Sequence, residues 1–277
     1  MAVVNVSTMH EFISACHMAV SDTTINIMAD LDFNEVVSEI TGVIAINDSS
    51  DVIRDVIING NNHAIYNIEG SDMNPAVFHI KNIQNFELKD LSFLNCHITK
   101  STTSLIAPTG STSNAEINNC VVQGMFWGYI IGNTIHVNDT MFTLSGKGNL
   151  GSSTATYNRC WIKLDGVRCN ASTSGFWRNL NSCYIEGDFG ANSESSNTVF
   201  FNGISNSCIN LDMHFAVTPT SLNVRFPNNT EYINIINSDK LQFIDTPLPS
   251  TTKNILVTDE QMKNAEYLAG IGFDIVP

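Results

Sequence analysis

Apolar and polar residues alternate along most of this chain in short runs, the two-residue period of strands that bury one face. Six segments repeat the pattern in aligned form: Leu94-Asn95-Cys96-His97-Ile98, Asn118-Asn119-Cys120-Val121-Val122, Asn138-Asp139-Thr140-Met141-Phe142, Asn158-Arg159-Cys160-Trp161-Ile162, Asn181-Ser182-Cys183-Tyr184-Ile185 and Asn206-Ser207-Cys208-Ile209-Asn210. Their centres are separated by 24, 20, 20, 23 and 25 residues, with Cys at the centre and Asn two places before it in five of the six rows. A fixed period in this range is the signature of a repeat architecture. About 20–25 residues at about 3.3 Å each suit three short strands and three turns, stacked on the next turn of chain at about 4.8 Å.

Parity chooses the buried face. If the Cys column points inward, the column two places later is buried with it, and it reads Ile98, Val122, Phe142, Ile162, Ile185 and Asn210. The opposite parity would bury Thr99, Gln123, Thr143, Lys163 and Glu186, at the cost of desolvating polar and charged groups. The cysteines therefore read as small hydrophobes filling a core, and the asparagines as corner residues whose amides bond their neighbours above and below.

The predicted fold is all-β: a right-handed, single-stranded parallel β-helix of about 9–10 coils with short capping helices at both ends. Residues 1–21 form an N-terminal strand and capping helix, 22–257 the solenoid, and 258–277 a C-terminal helix and tail, all one structural domain. Thr8 with Glu11 makes a capping-box pattern ahead of Phe12, Ile13, Cys16 and Val20, and Thr258 with Gln261 repeats it ahead of Met262, Ala265, Leu268 and Ala269. The segment Asp55 to Tyr66 reads as strand, Asn59-Gly60 turn, strand, and Thr220–Phe226, Tyr232–Ile236, Leu241–Ile244 and Asn254–Val257 as later strands.

Composition narrows the class of function. Only 14% of residues are charged, and 27 acidic against 13 basic residues give a net charge of −14, which repels a phosphate backbone and excludes nucleic acid as a partner. No basic n-region with an apolar h-region opens the chain, and no apolar run is long enough to cross a bilayer, so neither a signal peptide nor membrane insertion is expected. Seven cysteines without CxxC spacing fit reduced core thiols better than disulfides or a zinc site. The seven histidines are scattered, so no metal and no cofactor are expected.

Two sets of side chains carry candidate chemistry. The column after the centre faces outward on the chosen parity, yet it reads His97, Val121, Met141, Trp161, Tyr184 and Ile209. An exposed apolar stripe needs a partner: a subunit interface, an aromatic platform for sugar rings, or a cover of long loops. His97, Met141, Trp161 and Tyr184 are thus candidate glycan-binding or subunit-interface residues. Asp165 and Asp188 each lie five residues after their row centre, with Glu186 on the same face and Asp212 close in register. Carboxylates one strand apart have the separation that glycoside hydrolysis uses, so Asp165, Asp188 and Asp212 are the candidate catalytic residues, with Glu194 a further one. Stacked surface carboxylates also arise readily on an acidic protein as a solvated face.

Val56-Ile57-Ile58-Asn59-Gly60-Asn61-Asn62-His63-Ala64-Ile65 and the Asn-x-Cys coils after it resemble the pectate-lyase-like right-handed β-helices, among them the tailspikes and other virion appendages of bacteriophages. The closing segment from Asn254 to Phe273 is similar to the ends of some phage structural proteins from gut bacteria. The resemblance implies a virion protein, a homotrimer, made in the host cytoplasm without a signal peptide, that contacts other virion proteins and attaches to host-surface polysaccharide. The Asn-Thr-Asp segment, Asp-Asp pair, His-Gly and Arg-Ile-Lys expected of a polygalacturonase do not occur, nor does the Asp-rich calcium site with a nearby Arg or Lys expected of a pectate lyase. The alternatives are a polysaccharide depolymerase working through the three aspartates and a bacterial surface adhesin.

Overall fold

The structure is a computed structural model that describes residues 2–19, 22–39, 43–47, 51–70, 76–98, 104–109, 114–126, 128–130, 135–145, 149–151, 155–169, 177–191, 198–205, 207–215, 222–225, 232–235, 253–254 and 264–270. From Asp188 to Asn254 the description is of backbone and pairing. The described chain is all-β, with an eighteen-stranded sheet curled into a half-barrel and a second sheet of five strands. Every strand pairing in both sheets is parallel.

The strands fall into three columns. One runs through Ala2–Val6, Thr23–Ile27, the first half of Ile53–Tyr66, the first half of Ile83–Ile98, Asn114–Asn118, Ile135–Asn138, Ala155–Asn158 and Trp177–Asn181. A second takes the later halves of the two long strands and continues through Val121–Phe126, Met141–Ser145, Trp161–Cys169, Tyr184–Ala191 and Ser207–Phe215. The five-stranded sheet supplies the third: Ile44–Ile46, Ala76–Lys81, Ser104–Thr109, Gly128–Ile130 and Asn149–Gly151.

A line of left-handed residues separates the first column from the second. Asp90, Asn119, Asp139, Arg159 and Ser182 sit at φ 53°, 51°, 51°, 52° and 53°, each turning the chain between two strands. Asn and Asp enter this region at little cost because their short polar side chains bond locally. Immediately before that line the asparagine column predicted from sequence is present: Asn138 Nδ2 donates to Asn118 Oδ1 at 2.8 Å, Asn158 to Asn138 at 2.8 Å and Asn181 to Asn158 at 3.4 Å. The same column reaches the N-terminus, where Asn59 donates to Asn26 at 3.4 Å and Asn26 to Asn5 at 3.0 Å. Lys89 interrupts the series between Asn59 and Asn118.

The inward faces form one apolar core. Cys120, Cys160 and Cys183 are buried in register with buried Thr140, and Val122, Phe142, Ile162 and Ile185 are buried beside them, which is the expected parity. At the N-terminal end Phe12 meets Phe78 edge-on at 6.2 Å and Phe78 meets Phe93 at 5.8 Å. Phe12 comes from the helix Met9–His17, which also buries Met9, Ala15 and Cys16. Its start is fixed as expected: Thr8 Oγ1 accepts from Glu11 N at 3.2 Å, while the Glu11 carboxylate accepts from Ser7 N at 2.7 Å. Val20 lies outside the described residues.

Register departs from the gapless repeat at both ends. Val121 pairs with Ser92 rather than His97, because the coil between them is longer than the aligned rows predict; an extra residue near Asn95, at φ 52°, then shifts the register between Val122 and Gly124. The 24-residue spacing read between Cys96 and Cys120 is therefore replaced by one of 29, as between Asp90 and Asn119. Cys96 aligns instead with Gly124, whose φ of 148° and contact with the Cys96 carbonyl leave no room for a side chain. At the other end Tyr184 pairs with Cys208, so Cys208 sits in the outward column, one place from its expected position.

At the C-terminus, the helix Ala265–Gly270 begins at Asn264, whose Oδ1 accepts from Tyr267 N at 2.9 Å. Thr258, Gln261 and Met262 lie outside the described residues, as does the expected strand at 241–244.

Candidate functional site

The outward face of the second column carries the stripe. In register it reads Ser92, Val121, Met141, Trp161, Tyr184 and Cys208. Met141 is 43% exposed, Val121 and Trp161 are half-buried, and Tyr184 is only 3% exposed. Trp161 accounts for part of that burial, standing edge-on to the Tyr184 ring with centroids 5.6 Å apart at 81°. The Tyr184 hydroxyl lies 3.3 Å from Glu186 Oε2, so the ring's polar end is satisfied at the surface. The indole N–H of Trp161 is buried with no acceptor among the described residues.

Two more outward columns follow the stripe along the strands. The first is polar: Gln123, Thr143, Lys163, Glu186 and Asn210. The second reads His97, Met125, Ser145 and Asp165, with Met125 38% exposed. His97 thus belongs four positions along the strand from where the sequence alignment placed it, and its Nδ1 is 3.3 Å from Glu69 Oε2. The structure brings Met141, Trp161 and Tyr184 together and leaves His97 apart from them.

The aspartates lie on successive strands. Asp165 is exposed and pairs with Ser145, but on the next strand the register shifts between Leu164 and Val167, so Asp165 and Gly166 form a bulge opposite Asp188. Asp165 and Asp188 are therefore not register partners, whereas Asp188 and Asp212 are. Glu194 lies outside the described residues.

A second stack of ionisable groups escaped the sequence reading. Glu87, Glu116 and His136 are successive register partners on the outward face of the first column. Asn118 donates to both carboxylates, at 3.2 Å to Glu87 and 3.5 Å to Glu116, and Lys89 sits 3.5 Å from Glu87. Each carboxylate is thereby engaged by neighbours on the same sheet, a satisfied polar face. Only knowledge of the long coil that sets Glu87 opposite Glu116 could have found the stack, since the aligned rows begin later.

The core thiols are chemically quiet. Burial pushes the Cys120 thiol up to about 12, and burial likewise raises Cys16, Cys96 and Cys160. A thiol held protonated is neither nucleophile nor metal ligand at neutral pH. Among the described residues no three His, Cys, Asp or Glu side chains gather as a metal site. No protein-family profile, curated protein or solved structure matches the chain.

Proposed function

We propose that the three strand columns are the faces of a right-handed parallel β-helix, and that the protein is a pectate-lyase-like phage virion appendage. Right-handedness follows the rule for parallel crossovers, and the ladder at steps of 20, 20 and 23 residues supports the coil. In this reading the protein is a homotrimer, is made in the host cytoplasm, joins other virion proteins, and presents its stripe to host-surface polysaccharide.

The observation that carries the attachment role is the outward column of Val121, Met141 and Trp161, with buried Tyr184 packed edge-on against Trp161, bordered by the hydrogen-bonding side chains Gln123, Thr143, Lys163 and Glu186. Apolar rings beside polar groups are what a sugar presents a need for: CH faces stack on an aromatic surface while hydroxyls bond its rim. Trp161→Ser is the test. Glycan binding measured on host envelope polysaccharide should fall at least tenfold, while the solution mass stays that of the wild type. Loss of the oligomer with glycan binding intact would make the stripe a subunit interface instead. New reducing ends or unsaturated uronates released by the wild type would replace attachment by depolymerisation.

A further inference from the structure

We infer that the N-terminal edge strand Ala2–Val6 is a twofold docking surface for a second copy of this chain. The strand pairs with Thr23–Ile27, and among the described residues with no other strand. Ala2 N donates to Asp22 O at 2.7 Å and Met28 N to Val6 O at 2.8 Å, which with the register fixes which backbone groups point where. Ala2, Val4 and Val6 address the neighbouring strand. Val3 and Asn5 turn their N–H and C=O groups to the edge, two donors and two acceptors without a partner strand among the described residues.

A twofold axis through Val4 satisfies all four. An antiparallel copy places Val3 opposite Asn5 of the second chain and Asn5 opposite its Val3, and each such pair exchanges two hydrogen bonds. Val4 then faces Val4 as a close, non-hydrogen-bonded pair, and Val4 and Val6, on the core side of the strand, continue one apolar surface across the axis. Val4 already packs at the margin of the core.

Charge selects the same occupant. The chain carries a net charge of −14, and a second copy is repelled least at a face that adds no like charge. Residues 2–9 hold no charged side chain, and none of the lysines or prolines that commonly blunt an edge strand. Exposed apolar side chains concentrate at this end as well: Val3 at 64%, Met28 at 50% and Met18 at 66%. A five-residue strand with this fringe is smaller than a standard interface, so association should be concentration-dependent.

Sedimentation equilibrium on the full chain, from micromolar to near-millimolar concentration, should show the mass of the smallest species doubling. Val3→Pro removes an outward N–H without touching the bonds to Thr23–Ile27, and should weaken the doubling by about tenfold or more while leaving the thermal melt in place. Val4→Cys under a mild Cu(II) oxidant, which takes the two electrons of the thiol pair, should yield a covalent dimer. Val3→Cys, opposite Asn5 rather than itself, should not. A mass independent of concentration overturns the proposal. So does a Val3→Pro variant that associates like the wild type, or a Val3→Cys variant that cross-links as readily as Val4→Cys.

Discussion

Asn138 stands between Asn118 and Asn158 with its amide engaged on both sides of the stack, donating to one at 2.8 Å and accepting from the other at 2.8 Å. The half-buried position makes these bonds more than decoration, because an amide removed from water and left unpaired costs about 1–3 kcal/mol. Asn138→Ala deletes a donor and an acceptor and leaves both neighbours short by one partner each. The expected destabilisation is about 2 kcal/mol, read as a lower denaturant midpoint with an unchanged slope. Asn5→Ala, at the exposed end of the same column, should cost a few tenths of that, about 0.5 kcal/mol or less.

Thr140 occupies the place in the buried column that Cys120, Cys160 and Cys183 fill on neighbouring strands. Its hydroxyl donates to Asn138 O at 2.9 Å, and the thiols of Cys160 and Cys183 lie 3.4 and 3.5 Å from Asn158 O and Asn181 O in the same way. Cys160→Thr should therefore be tolerated within about 1 kcal/mol. Cys160→Leu should cost about 1–3 kcal/mol, because two extra carbons must enter a column packed from above and below. Chemical denaturation of the two variants beside wild type checks the order.

Burial of Cys120 has a pH consequence. Its thiol titrates at about 12 in the folded chain against an ordinary 9.0, so folding favours the protonated form. The contribution to stability is whole below pH 9, shrinks as pH rises from there, and is gone once the folded thiol itself ionises near 12. Cys16 and Cys96, raised by burial as well, act in the same direction. The unfolding midpoint should fall steeply above pH 9, and Cys120→Ala should make that fall shallower. A thiol reagent at pH 8 should label the buried cysteines Cys16, Cys96, Cys120, Cys160 and Cys183 only as fast as the protein opens.

The middle of the chain could be read from sequence because its period is regular there. Between Asn118 and Asn158 the step is 20 residues each time, so a gapless alignment places inward and outward residues correctly. The reading slipped where the coil length changed. A longer coil before Val121 moved Cys96 and His97 out of columns they match by type, and a bulge at Asp165–Gly166 set two residues opposite Asp188. A bulge reverses the inward parity along its own strand, so Phe93 and Cys96 are both buried though three residues apart, a phase break that a gapless alignment cannot carry. The burial of Tyr184 was hidden for another reason: its strand parity is outward, and Trp161 stands over it from the neighbouring strand. Parity assigns a face, while neighbours on that face decide exposure. The Glu87–Glu116–His136 stack went unread because long strands with steps near 30 residues lie outside the shorter repeat.

Gly187 and Gly166 separate two costs that glycine can avoid. Gly187 has φ 111° and a Cβ there would collide with the backbone of Leu164 on the paired strand, whereas Gly166 has φ 62° with open space around it. In Gly166→Ala only the left-handed conformation is penalised, an expected cost of about 1 kcal/mol. In Gly187→Ala the same kind of backbone penalty joins a steric clash that only separation of two hydrogen-bonded strands relieves, so the loss should exceed about 3 kcal/mol. Gly124, at φ 148° against the carbonyl of Cys96, should behave as Gly187 does. Denaturant midpoints for the three alanine variants give the comparison directly. Equal costs at 166 and 187 would mean that the strands Trp161–Cys169 and Tyr184–Ala191 are not held at the register described. Since that register also decides which aspartates lie opposite one another, the glycine series tests the geometry of the outward face without requiring any ligand.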